Sequence, residues 1–235
     1  MVVAAAVAVA GYFLYMHRPA SGQADVNHSA SRPQATTLGK LFVPTTIHGN
    51  IAWFESITGP TIQVIPQGDG AQTRKYKVDG CDVTTDSAHD SISAITLVLG
   101  PECTVALKAM LPSEDGPDLQ NLDFAKLLQA GASNVSLTCA GPDECGNSGI
   151  DPSVQAVLGG AHVDDFLKVV FTGTITSDAD TNALNALMDA ESARTGKTNL
   201  DLNADVYNKD PHLDQLVATK LGGVKVTSIT FQTGN

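Results

Sequence analysis

The residues able to do acid–base or metal chemistry are few and scattered. The six histidines are His17, His28, His48, His89, His162 and His212. None has the H-x-x-x-H spacing that puts two imidazoles on one helix face, and none sits in H-E-x-x-H. His89–Asp90, His162-x-Asp164 and His212-x-Asp214 each set an imidazole beside a carboxylate that could orient it as a general base. Such a base needs a nucleophile, and the G-x-S-x-G signature is absent. The catalytic residues of an enzyme reading therefore stay unassigned.

Two further patterns fail on their own spacing. Thr195-Gly196-Lys197-Thr198 resembles the end of a phosphate-binding loop, but the first glycine of that motif falls on Glu191, whose carboxylate would repel phosphate. Gly196 reads instead as a helix stop. Asp201-x-Asn203-x-Asp205 supplies the opening oxygen ligands of a calcium loop, so Asp201, Asn203 and Asp205 are the metal candidates. Val206 then stands where that loop needs glycine, and His212 where it needs a bidentate glutamate. Alternation along a strand explains the spacing equally well. Asp178-x-Asp180-x-Asn182 has the same start, and reads as the acidic first turn of a helix. No cofactor is implied.

The cysteines say more. Cys81, Cys103, Cys139 and Cys145 are even in number and lack metal-ligand spacing. Cys139 and Cys145 bracket a Gly-Pro turn, and Pro142, Asp143 and Glu144 within it form an acidic loop that could be presented to a partner. Disulfides imply an oxidising compartment. The residues leave the connectivity open, and four buried thiols are the alternative. Asn27-His28-Ser29 and Asn134-Val135-Ser136 match glycosylation sequons.

The chain carries 14 Lys+Arg against 25 Asp+Glu, a net charge of −11 over 235 residues. Residues 1–40 hold Arg18, Arg32 and Lys40 against Asp25, so the remainder carries −13. That acidity excludes nucleic-acid binding, which rests on clustered Lys and Arg. It also argues against adhesion of the folded part to an anionic membrane.

The segments that must position these residues begin with an uncharged apolar run, Met1 to Met16. As a helix it spans about 24 Å against a hydrocarbon core of about 30 Å. It reads as a membrane anchor or signal segment over residues 1–18, with a cleaved signal or a buried helix as alternatives. Arg18 follows the run and no cation precedes it, which by the positive-inside rule weakly favours a cytoplasmic C-terminal side, whereas the cysteines favour export. Residues 19–40 are small and polar and read as a flexible linker.

Residues 41–110 read as β-rich, with short runs at Thr45–Phe54, Thr61–Pro66 and Thr73–Val78 joined by turns. Asp90–Gly100 fits either a capped helix or a buried strand. Residues 111–235 alternate. Strands are expected at 104–110, 134–139, 166–176, 199–206 and 224–233. Helices are expected at 119–130, 152–158, 178–194 and 210–221. Polar residues at alternate positions (Thr172, Thr174, Thr176) put one sheet face in water. NLDFAKLLQAGASNVSLT and HLDQLVATKLGGVKVTSI share a helix, glycine stop and strand pattern.

The expected fold class is α+β or α/β: an N-terminal hydrophobic helix, a small antiparallel β region, then alternating β and α elements with a mixed sheet. Residues 41–235 form either two regions or one domain. The expected role is a membrane-anchored, disulfide-stabilised protein with its domain in the periplasm or another extracytoplasmic space. There it would bind or scaffold other envelope proteins, touching the membrane only through the N-terminal helix. The alternatives are an exported hydrolase and an ion- or small-ligand-binding module.

Overall fold

The computed structural model describes residues 37–103, 122–138, 151–158, 167–197 and 211–233. Its centre is an eight-stranded sheet in which every pairing is antiparallel. The first four strands are a meander: β1 (Gln63–Gly68), β2 (Ala71–Val78), β3 (Cys81–Ala88) and β4 (Ser91–Val98). Two-residue turns join them. Asp69 and Gly70 have φ of 49° and 76°, Asp79 and Gly80 49° and 83°, His89 and Asp90 50° and 64°. Positive φ at both central residues is the type I′ geometry, whose twist matches the flanking strands.

Among the described residues, two helices precede the meander. They are α1 (Thr37–Leu41) and α2 (Ile51–Thr58), with a single 3-10 turn at Pro44–Thr46 between them. Asn50 starts α2 by accepting the Ala52 N–H at 2.7 Å. Phe54 on α2 stacks on Tyr76 of β2 with ring centroids 5.0 Å apart. After the meander come α3 (Phe124–Gln129), β5 (Ala132–Thr138), β6 (Ser153–Leu158), β7 (Leu167–Thr174), α4 (Asp178–Thr195), α5 (Pro211–Lys220) and β8 (Ser228–Thr233). Asp123 caps α3 through the Lys126 N–H, and Ser177 caps α4 through the Asp180 N–H. Gly196 ends α4 at φ 72°, the left-handed stop that its glycine permits.

The strand order is β1-β2-β3-β4-β8-β7-β6-β5. The last strand is the hinge of the fold: β8 pairs with β4 on one side and β7 on the other. It therefore joins strands of the 41–110 and 111–235 regions in one sheet. One face carries the core. Tyr76, Val83, Leu97, Ile229, Phe171 and Ala156 lie in one cross-strand row, all buried. Phe42, Phe124, Leu187 and Val217 from the helical segments join the same cluster. A disulfide links Cys81 at the start of β3 to Cys103 beyond β4, both buried in this layer.

The expected mixed sheet is thus corrected to a wholly antiparallel one with a few helices on it. Two helices lie between β7 and β8 among the described residues, and β8 returns antiparallel to β7. The helix expected at 152–158 is strand β6. Val154 and Ala156 are buried while their neighbours are half-exposed, a period of two. The strand expected at Thr45–Phe54 is instead the 3-10 turn and α2. Of the two readings at 90–100, the strand is observed. The N-terminal hydrophobic helix and the strands expected at 104–110 and 199–206 lie outside the described residues. Among the described residues no helix is long and apolar enough to cross a membrane.

Candidate functional site

The open face of the sheet, opposite the core, has a composition unlike the rest of the chain. One row crosses all eight strands: Gln63, Lys75, Thr84, Thr96, Thr230, Val170, Val157 and Ser133. The next reads Lys77, Asp82, Val98, Ser228, Thr172, Gln155 and Ser136. Pairing register fixes these rows, because directly opposed residues share a face. Charge collects at one end. Lys77 reaches Asp82 at 3.2 Å, and Thr73 donates to Asp86 at 2.6 Å while accepting from Gln67. From β4 across β8, β7 and β6 to β5, the open face carries hydroxyls, amides and valines, with Lys168 as its one charge among the described residues.

These side chains are small and held. The Thr96 and Thr230 hydroxyls are 2.8 Å apart, and those of Thr174 and Thr227 3.1 Å. β-Branched residues lose little rotamer freedom when covered, having little to lose. Val98 is 39% exposed in the middle of the surface. The arrangement is a pre-ordered, nearly neutral surface. It offers hydrogen-bond donors and acceptors to a partner and carries no aromatic ring, among the described residues, on which a base or sugar could stack.

A second polar cluster lies under α2, on the core side. Arg74 of β2 donates to Glu55 of α2 at 2.9 Å and to Gln72 at 3.0 Å, and lies 3.9 Å from Asp90. The Tyr76 hydroxyl donates to the same Glu55 oxygen at 3.3 Å. Burial pushes the Tyr76 phenol up from its ordinary value, and the Glu55 charge adds to the rise. The cluster ties helix to sheet across the end of the core. It holds its tyrosine protonated and its arginine paired, so it fits fastening better than proton transfer.

The sequence candidates fare as follows. Asp201, Asn203 and Asp205 lie outside the described residues, as do Cys139, Pro142, Asp143, Glu144 and Cys145. Cys81 and Cys103 are brought together as the disulfide. His89–Asp90 is a hairpin turn, with the Asp90 carbonyl accepting the Ile51 N–H. The Asp214 carboxylate accepts the Val135 N–H at 3.2 Å. Asp178 and Asp180 open α4, with Ser177 donating to Asp180 at 2.7 Å. Glu191 is buried and bound by Arg194 through two hydrogen bonds. Asn134 of the second sequon sits at φ 53° in a bulge of β5.

The Arg74–Glu55 cluster left no signal in the sequence, because its two arms are 19 residues apart on different elements. The open face did leave one, in the alternate threonines of β7.

No protein-family model and no curated protein matches the chain. Two solved structures resemble it at low similarity. One is an extracellular protein containing an SCP domain from Bacillus anthracis str. Ames, 9% identical over 81% of this chain and 45% of that one, with a TM-score of 0.33. The other is a cysteine-rich secretory protein from Staphylococcus aureus subsp. aureus Mu50, 13% identical over 80% and 44%, with a TM-score of 0.28. The chain spans less than half the length of either. Similarity of this degree establishes neither a family nor a shared fold.

Proposed function

We propose that this protein is an exported, disulfide-stabilised binding component of an envelope assembly, and that it holds another envelope protein on the open face of its sheet. The observation that carries the reading is the near-neutral stretch from β4 to β5 on a chain of net charge −11. Charged residues are depleted at the buried centre of protein interfaces, because each must be desolvated there. A face kept in water by function alone has no reason to lose its charges while the rest of the chain keeps them.

Export is supported by the Cys81–Cys103 bond, since structural disulfides persist in oxidising compartments. The apolar run Met1–Met16 supports tethering at a membrane, and the small, polar composition of residues 19–36 suits a linker to the domain, the last part of the linker expected over 19–40 being helix α1.

Affinity capture from the native envelope tests the reading. Thr172→Arg and Thr230→Arg each place a charge in the neutral stretch, where a partner would bury it unpaired. The wild-type chain should retain a stoichiometric partner that both variants lose, while their urea midpoints stay near the wild-type value. Retention of the same partner by both variants, or the lack of any stoichiometric partner, overturns the proposal.

A further inference from the structure

Arg74 has more donors than the cluster under α2 uses. Its Nη1 and Nη2 donate to Glu55 and Gln72, but its Nε is buried and has no hydrogen-bond partner among the described residues. Thr85 of β3 is in the same position. The residue is 0% exposed, and its Oγ1 also lacks a hydrogen-bond partner among the described residues. Buried polar atoms left without any partner are rare, because each has given up its bonds to water on folding.

The two residues belong together. Arg74 and Thr85 stand directly opposite each other in the β2–β3 pair, on the face that α2 covers. The Asp79–Gly80 turn closes on Val78 and Cys81 as a hydrogen-bonded pair, and bonded pairs alternate along the ladder, so Arg74 and Thr85 are one as well. Opposed Cα atoms in such a pair are about 5.5 Å apart, the wider of the two antiparallel spacings. Tyr76 brings its hydroxyl to the same place. It donates to Glu55 Oε1, the oxygen that also accepts from Arg74 Nη1. The Thr85 hydroxyl lies near enough to pull the Tyr76 phenol down, against the larger upward push of burial. With its proton given to Glu55, the Tyr76 oxygen is left as an acceptor.

We infer that Arg74 Nε, Thr85 Oγ1 and the Tyr76 hydroxyl form a binding site for one internal water molecule, which bridges β2 and β3 beneath α2. The chemistry selects water. The site needs a species that accepts from the Arg74 Nε–H, donates to the Tyr76 oxygen and does either with Thr85. Water does all of this with three partners, the usual number for an internal water. An anion meets the carboxylates of Glu55 and Asp90 beside Arg74, and a cation meets the guanidinium. An apolar molecule leaves every one of these groups unpaired. Water has a way in, because the Asp90 side chain at the end of the cluster is 70% exposed. The inference stands apart from the binding role of the open face, which lies on the other side of the sheet.

Crystal structures of the full-length chain and of its Thr85→Val variant, at a resolution that shows ordered water, test it together with urea unfolding. Wild type should show one water within hydrogen-bond reach of Arg74 Nε, Thr85 Oγ1 and the Tyr76 hydroxyl. Valine keeps the shape of threonine and removes only the hydroxyl. With the water bound, Thr85→Val takes away one of its partners, so the unfolding equilibrium constant should rise about tenfold. With Thr85 unpaired, the same substitution removes an unsatisfied group and stabilises the fold. Wild-type density without a water at that place overturns the inference. So does a Thr85→Val variant as stable as wild type or more so.

Discussion

Removing the Cys81–Cys103 bond should cost this fold a measurable share of its stability. The two residues are 22 apart in sequence, and the loop between them is the β3–β4 hairpin with its following turn. Closing a loop of that length restricts the unfolded chain by about 3 kcal/mol at 25 °C in the chain-entropy treatment. For a domain of this size each kcal/mol shifts Tm by about 2–4 °C, so the expected fall is about 10 °C. The clean perturbation is the double variant Cys81→Ala/Cys103→Ala. Alanine leaves no buried thiol or hydroxyl to satisfy, and chemical reduction would also act on any bond made by Cys139 and Cys145. Calorimetry gives Tm, and urea unfolding gives the stability and its slope. The slope should rise slightly, because the uncross-linked chain exposes more surface when unfolded. In the wild-type protein the buried sulfurs should react with dithiothreitol only as fast as the fold opens. A double variant that melts within about 2 °C of wild type would refute the reasoning, since 3 kcal/mol cannot hide in so small a shift.

Four other outcomes are expected. Gly173→Ala should destabilise by about 2–3 kcal/mol in urea, because its Cβ would lie 2.6 Å from the Phe124 ring and 2.8 Å from the Lys225 carbonyl. Replacing the His89–Asp90 turn by Asn-Gly should raise stability by about 1 kcal/mol, since both residues now hold left-handed φ without being glycine. Asp123 is partly desolvated, which opposes its charge, but the Lys126 N–H and the Lys126 and Lys225 ammonium groups outweigh that and hold its carboxyl below 3.8. A depressed carboxyl pKa stabilises the fold above the unfolded value and loses that contribution as pH falls through the folded one. Stability of wild type should therefore drop below about pH 4 more steeply than that of Asp123→Asn, which keeps the α3 cap. Glu55→Gln should leave Arg74 with a weaker partner and cost about 1 kcal/mol at pH 7, read by urea midpoint.

How far the fold could be read in advance depended on whether the signal was local. Asp178–Thr195 and its Gly196 stop were legible because cap, periodicity and terminator agree. The β7 strand was legible from its alternation. Ser153–Leu158 misled because Asp151-Pro152 imitates a helix start, whereas burial of Val154 and Ala156 between β5 and β7 decides for a strand. The Thr45–Phe54 run misled because its β-branched residues suggest extension, while Asn50 is the cap that turns the chain into α2. The pairing of β4 with β8 had no local trace. Thr96 and Thr230 are 134 residues apart, and only packing of the assembled core places the last strand between the two regions. That placement turned an expected mixed sheet into an antiparallel one, and it also assembled the neutral open face, of which only the alternate threonines of β7 were visible.

The binding role of that face is tested most directly by photo-crosslinking in the living cell. A photoreactive amino acid would be placed singly at Thr172, Gln155 and Ser228 on the open face, and at Asp189 and Thr219 on the helices. The account predicts one adduct of the same mass from the three sheet positions and none from the two helix positions. Adducts of that mass from the helix positions, or none from the sheet, would contradict it.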